Sequence, residues 1–254
     1  MKSLSILLYH RVGPAVAGTH PELTVQPEHF RAQMEWLARK KYQTVTTEEL
    51  RAGGIAGLTP RSVMLTFDDG YADLAQHVFP LLRQHGFSAV VFFPTAFLGK
   101  FNEWDRTEGS AALPLFSAEQ ILNWSGQGIE FGSHGCAHCD LTALNDDDLV
   151  REIRGSKEAL GAVIGRPVHA FAYPYGKYDE RSLAQARTDY RFAFTAVDGL
   201  NCAEANPHLL RRTMVQPTDN ILGFALRVRR GGNPIQRVRA SAAKARRLVR
   251  DVLP

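Results

Sequence analysis

Ser62-Val63-Met64-Leu65-Thr66-Phe67-Asp68-Asp69-Gly70 is an apolar run that ends in two carboxylates and a glycine. A run of this kind reads as a strand buried on both faces, the habit of parallel sheets. Gly70 allows a sharp turn, so Asp68 and Asp69 stand at the C-terminal end of the strand, where parallel barrels gather their active groups. Comparable runs recur at Leu4–Tyr9, Ser88–Phe93, Ile129–Gly132, Val168–Tyr173, Phe192–Ala196 and Leu209–Val215. Helical patterns lie between them, and the alternation predicts an α/β fold in which about seven parallel strands form a barrel.

The helical segments are read from their apolar spacing. Pro27–Arg39 puts Phe30, Met34 and Leu37 on one face and starts on a proline suited to a first turn. Asp73–His85 gathers Val78, Leu81 and Leu82 and stops before Gly86. A third helix is expected after Asn145, whose amide can cap it while Asp146, Asp147 and Asp148 favour its positive end. Gly99–Ser117 has no clear period and reads as a long loop, a class of segment that is often functional.

At 254 residues, 44% hydrophobic and 22% charged, the chain can bury a sizeable core, and collagen-like, coiled-coil and disordered readings are excluded. No apolar stretch approaches the roughly 18 residues of a membrane span. The opening Met1–His10 is too short for a signal-peptide core and reads as a first strand, which points to a cytoplasmic protein. Three cysteines, Cys136, Cys139 and Cys202, make no disulfide framework.

The second chemical element is Gly132-Ser133-His134-Gly135-Cys136-Ala137-His138, again at a strand end. Two imidazoles four residues apart can face one point, and with a carboxylate they form a common site for a divalent ion. Alone, an Asp-Asp-Gly turn is a common solvated feature and a histidine pair is more often structural. Both at strand ends of one barrel are a much rarer coincidence. The third element, Phe171-Ala172-Tyr173-Pro174-Tyr175-Gly176, breaks a strand into a fixed turn that can aim a backbone N–H at a reacting oxygen.

With Thr66–Gly70, Ser133-His134-x-x-x-His138 and Phe171–Gly176 in this order, the chain resembles the polysaccharide deacetylase family, which shares the NodB homology domain. Its opening Leu7-Leu8-Tyr9-His10-Arg11-Val12-Gly13 resembles the subgroup with poly-N-acetylglucosamine deacetylases, in which the motifs are circularly permuted. The resemblance spans about Ser5 to Val215 and implies a distorted (β/α) barrel carrying a metal-dependent hydrolase that removes N-acetyl groups from a carbohydrate. It implies that Asp69, His134 and His138 ligate a divalent ion, zinc first, that Asp68 is the base for the ion's water, and that His10 is the acid. The backbone N–H of Tyr175 is the expected oxyanion donor, and Tyr71, Tyr173 and Pro174 are expected to contact substrate. A glycan-binding module on the same barrel, or an O-acetyl esterase or deformylase acting on a sugar, would share much of this pattern.

Two departures stand out. The family's third motif usually carries an arginine where this chain has Ala172, so whatever orients Asp68 must come from elsewhere, and Arg211 and Arg212 are the candidates. Cys136 and Cys139 bracket His138 with a Cys-x-x-Cys spacing but lack a second pair, and are read as packing residues. Trp104 and Trp124 are expected in the core, and the remaining histidines outside the site.

The net charge of +4 is unevenly placed. Residues 224–254 hold nine basic side chains against Asp251, which leaves the first 223 residues at −4. The expected division is therefore a barrel over 1–223 and a basic tail over 224–254. From Ile235 the tail repeats Ile235, Val238, Ala242, Ala245, Val249 and Val252, an amphipathic stripe. Such a tail suits an anionic membrane surface at the inner face better than a nucleic acid, since the body of the chain is acidic.

Overall fold

A computed structural model describes residues 2–105 and 111–233. Seven strands are arranged as expected: β1 (Ser3–Tyr9), β2 (Ser62–Phe67), β3 (Ala89–Phe93), β4 (Ile129–Ser133), β5 (Ala170–Ala172), β6 (Phe192–Phe194) and β7 (Thr213–Met214). Strands β1 to β6 pair in parallel in that order, with Tyr9 opposite Phe67 and Phe93 opposite Ser133. The seventh segment joins both ends of this curl. Leu210 pairs in parallel with Phe194 of β6, and Thr213 and Met214 pair in parallel with Leu7 and Leu8 of β1. Asn201–Cys202 adds a short antiparallel partner to the start of β1.

Strand parity sorts the core into two layers, because successive side chains point to opposite faces. Leu4 and Ile6, Met64, Val90 and Phe92, Ala170 and Ala172, Phe194 and Leu210 form one apolar cluster inside the curl. Their neighbours Leu7 and Tyr9, Val63, Leu65 and Phe67, Val91 and Phe93 pack outward beneath the helices. The same inward parity falls on His10, Asp68 and His134, each one residue past the end of its strand, and on Arg212, two residues past the inward-facing Leu210. The alternation thus turns all four inward.

The helical layer comprises α1 (Pro27–Arg39), α2 (Thr47–Gly57), α3 (Leu74–His77), α4 (Phe79–His85), α5 (Ala118–Ser125), α6 (Asp146–Val150), α7 (Ser156–Ile164), α8 (Glu180–Asp189) and α9 (Ile221–Arg230). Helix α1 has the expected bounds. The helix expected over Asp73–His85 is divided at Val78, because Pro80 has no N–H to continue the ladder. Asn145 caps α6 by accepting from the Asp148 N–H, and a π-helical turn over Arg151–Gly155 separates α6 from α7. None of the described helices is long and apolar enough to cross a membrane.

The division expected at residue 224 falls inside α9, whose Phe224, Ala225 and Val228 are buried in the core. The basic stripe from Ile235 lies outside the described residues.

Gly70 shows how tightly the Asp-Asp-Gly turn is packed. Its φ is +69°, and a Cβ there would stand 2.1 Å from Cδ2 of Phe93. Gly70→Ala is therefore expected to lower stability by about 1–3 kcal/mol from overpacking, with the left-handed backbone adding to the loss. Urea unfolding of the two proteins checks this.

Candidate functional site

At the C-terminal ends of the strands a cavity of about 230 Å³ is lined by His10, Asp68, Asp69, His134, His138 and Tyr175, together with Trp104 and Asp105. Larger clefts of about 690 and 430 Å³ open near the opposite strand ends, but the described residues form a cluster of metal-ligand type only around Asp69, His134 and His138. Chemistry, not size, selects the site.

Asp68 and His10 leave adjacent strands side by side, because the Asp68 N–H donates to the Tyr9 carbonyl at 2.9 Å. Arg212 meets Asp68 across the barrel, with Nη1 donating to Oδ1 at 2.5 Å and Nη2 to Oδ2 at 2.8 Å. The same guanidinium donates from Nε to the Thr195 carbonyl at 2.9 Å and lies over the Phe92 ring. Burial is the largest single influence on Asp68 and raises its pKa, but the lowering influences together, led by the charge of Arg212 and including its hydrogen bonds, hold the carboxyl below its usual range. Arg212 thus stands against Asp68, where the family's third-motif arginine is missing at Ala172. Arg211 does not, since odd parity turns it outward to the Asp198 carbonyl.

The Asp69, His134 and His138 ligand atoms lie within 4.8 Å of one another. His134 donates from Nδ1 to the Ala172 carbonyl at 2.8 Å, which leaves Nε2 with a free lone pair facing Asp69 Oδ1 at 3.7 Å. Burial pushes the His134 pKa down to about 4, so the ring is neutral at neutral pH, as ligation requires. His138 Nε2 is 3.3 Å from the same Oδ1, and that oxygen is buried without a hydrogen-bond donor. Ligand atoms about 2.0–2.2 Å from a shared ion would be spaced in much this way, so the three residues fit a divalent cation.

Backbone strain marks the same place. Asp69 (φ 72°), His138 (52°) and Tyr175 (57°) are three of the four non-glycine residues with positive φ among those described. Such conformations persist only where their surroundings fix them. For His138 the surroundings include Glu152, whose carboxylate accepts from the Cys136 and Ala137 N–H groups at 2.8 and 3.0 Å. Glu152 belongs to the π-helical turn, a type of irregularity frequent at functional sites. Cys136 and Cys139 are free thiols.

Not every expected contact faces the cavity. Tyr173 is fully buried on the outward side of β5, stacked edge-on against Phe171 and donating its hydroxyl to the His208 carbonyl, and Pro174 is buried beside it. Tyr71 is 4% exposed and pairs with Leu115. Burial, then the nearby Asp69 charge, raises its pKa, so the phenol backs the site instead of offering a stacking face. Tyr175 does reach the cavity, with its ring edge-on to His138 at 4.6 Å.

Trp104, expected in the core, also lines the cavity and stacks on His138 at 4.6 Å with a 23° tilt. Asp105 follows it into the wall, its pKa raised by burial and by Asp69. The signal for both was the unpatterned loop that carries them. Trp124 packs on Phe79 in the core, as expected.

A family model described as polysaccharide deacetylase matches residues 56–193, more than half of the chain. That span holds Asp68, Asp69, His134 and His138 but neither His10 nor Arg212. The chain is 29% identical over 217 residues to YxkH of Bacillus subtilis, named as a polysaccharide deacetylase, covering 84% of this chain and 72% of that protein. It is 36% identical over 70 residues to the poly-beta-1,6-N-acetyl-D-glucosamine N-deacetylase of Escherichia coli, covering 27% of this chain and 10% of that longer protein. Among solved structures, the Streptococcus pyogenes deacetylase PplD in complex with acetate superposes with a TM-score of 0.77 at 25% identity, over 89% of this chain and 97% of that one.

Proposed function

The chain belongs to the polysaccharide deacetylase family, and from that premise we propose that it is a hydrolase of carbon–nitrogen bonds that removes N-acetyl groups from an N-acetylglucosamine-containing glycan or lipid-linked sugar. The observation that carries this reading is the convergence, in one cavity, of an Arg212-braced carboxylate, a three-ligand cluster and His10. A glycan-binding module has no use for such a division of labour.

Asp69, His134 and His138 would hold a divalent ion, which we take to be zinc. Bound there, it supplies Lewis acidity to the amide carbonyl and lowers the pKa of water. Asp68, kept ionised by Arg212, takes the proton from the attacking water. The backbone N–H of Tyr175 donates to the oxygen on which charge develops. His10 gives a proton to the departing amine nitrogen, whose expulsion as an anion would otherwise be prohibitive.

Acetate release from N-acetylglucosamine oligomers tests the proposal. Prolonged treatment with a zinc chelator is expected to abolish release, and added zinc to restore it. His134→Ala is expected to lose both the metal and the activity. Stoichiometric metal with no acetate from any N-acetylated sugar would overturn the assigned reaction.

A further inference from the structure

His10 enters the site from the motif His10-Arg11-Val12-Gly13, and the reading above uses only its first residue. Arg11 is nearly buried, and its Nε lies 2.6 Å from Oδ2 of Asp73, whose side chain is 22% exposed. Asp73 sits at the N-cap position of α3 yet makes no side-chain capping bond: its Oδ2 faces Arg11, and its Oδ1 is buried without a hydrogen-bond partner. Nη1 of Arg11 donates to the Pro14 carbonyl at 2.7 Å. Gly13 lies against this pair: a Cβ there would stand 2.7 Å from Arg11 Nη2 and 2.8 Å from Asp73 Oδ2. The segment is secured further by the pairing of Arg11–Val12 with Thr24–Val25 and by the Gly13 N–H donating to the Val25 carbonyl at 3.1 Å.

Resting on the roles assigned under Proposed function, we propose that the Arg11–Asp73 ion pair, closed over Gly13, is a clamp that positions His10 for proton donation to the leaving amine. His10 is tied on both sides to one turn. On one side Tyr9 accepts from the Asp68 N–H, and on the other Arg11 grips Asp73, five residues beyond Asp68. The proton donor is thereby held in register with the carboxylate that receives the first proton. Arg11 itself lines a small cleft behind Tyr71 and Asn102, not the catalytic cavity, so it acts through His10 and not on substrate. Proton transfer needs hydrogen-bond reach, and a misplacement of about 1 Å can lower a rate about 100-fold.

The test compares two substrates of the zinc-loaded protein. An N-acetylglucosamine oligomer must expel an amine and needs the proton, whereas an aryl acetate expels a stable phenolate and does not. Arg11→Met and Asp73→Asn are expected to lower kcat for the amide by about 10- to 100-fold with KM little changed, and the ester rate by less than about threefold. In a His10→Ala background either substitution is expected to add no further loss of amide rate, whereas with His10 in place Arg11→Lys is expected to keep part of the rate that Arg11→Met loses. Metal content and circular dichroism establish that each variant is folded.

Equal losses on both substrates, or losses that add to that of His10→Ala, would overturn the clamp. Wild-type protein that cleaves the ester but not the amide would overturn the N-deacetylation reading and the clamp with it, so the wild-type amide rate tells the two failures apart.

Discussion

Asp68→Asn is expected to reduce acetate release by roughly 10²- to 10⁴-fold, the span of general acid–base effects, while stoichiometric metal stays bound. Asparagine keeps the shape of the side chain but cannot take a proton from water at neutral pH. The three ligands are untouched by the change, so metal content separates this variant from Asp69→Asn, which is expected to lose metal and activity together. Acetate assay beside metal analysis reads both quantities. More than about a tenth of wild-type activity in Asp68→Asn would remove Asp68 from the role of base.

Arg212→Met is expected to give the largest stability loss, about 3–5 kcal/mol by denaturant unfolding, because it leaves the buried Asp68 charge without its partner. Activity is expected to fall with it. Arg212→Lys is expected to recover little, since an ammonium cannot reproduce the two parallel bonds to Asp68 or the bond from Nε to Thr195. Adding Asp68→Asn to Arg212→Met is expected to return part of the stability, the sign of a coupled pair.

The pH dependence of this contribution has a definite sign. Asp68 is lowered in the folded state, so the stabilisation is complete above the unfolded aspartate value of about 4 and is lost as pH falls through the lowered value. In Arg212→Met the carboxyl is expected to titrate higher, which moves acid unfolding to higher pH.

The strands were legible because burial on both faces leaves continuous apolar runs, and six of the seven both begin and end within two residues of the reading from sequence. The seventh was read as one strand over Leu209–Val215. Its two halves instead pair with different neighbours, a division that apolar character does not encode. Asp68, Asp69, His134 and His138 were legible because their spacing repeats a chemical requirement.

Arg211 and Arg212 were inseparable in sequence, and strand parity, set by the pairing of Leu210 with Phe194, decided between them. The same parity explains the error at Tyr173, which belongs to the outward side with Phe171. Trp104 packs against the core as expected, but its second place, in the cavity wall, was not legible, because an aromatic residue in an unpatterned loop has no periodicity to place it. The short turn over Glu103–Asp105 brings it onto His138.

The seventh strand also sets an order of events for a chain growing from the ribosome. Its contacts with β1 and β6 join the first strand to one more than two hundred residues later, a high contact order that makes closure a late step. Until then one edge of β1 has no parallel neighbour, and Asp68 waits for a cation that lies 144 residues downstream. The nascent sheet therefore carries both an adhesive edge and an unneutralised carboxylate, and emergence of the Leu210–Met214 segment removes both at once. Neutralisation of Asp68 by Arg212 and completion of the barrel are the same event.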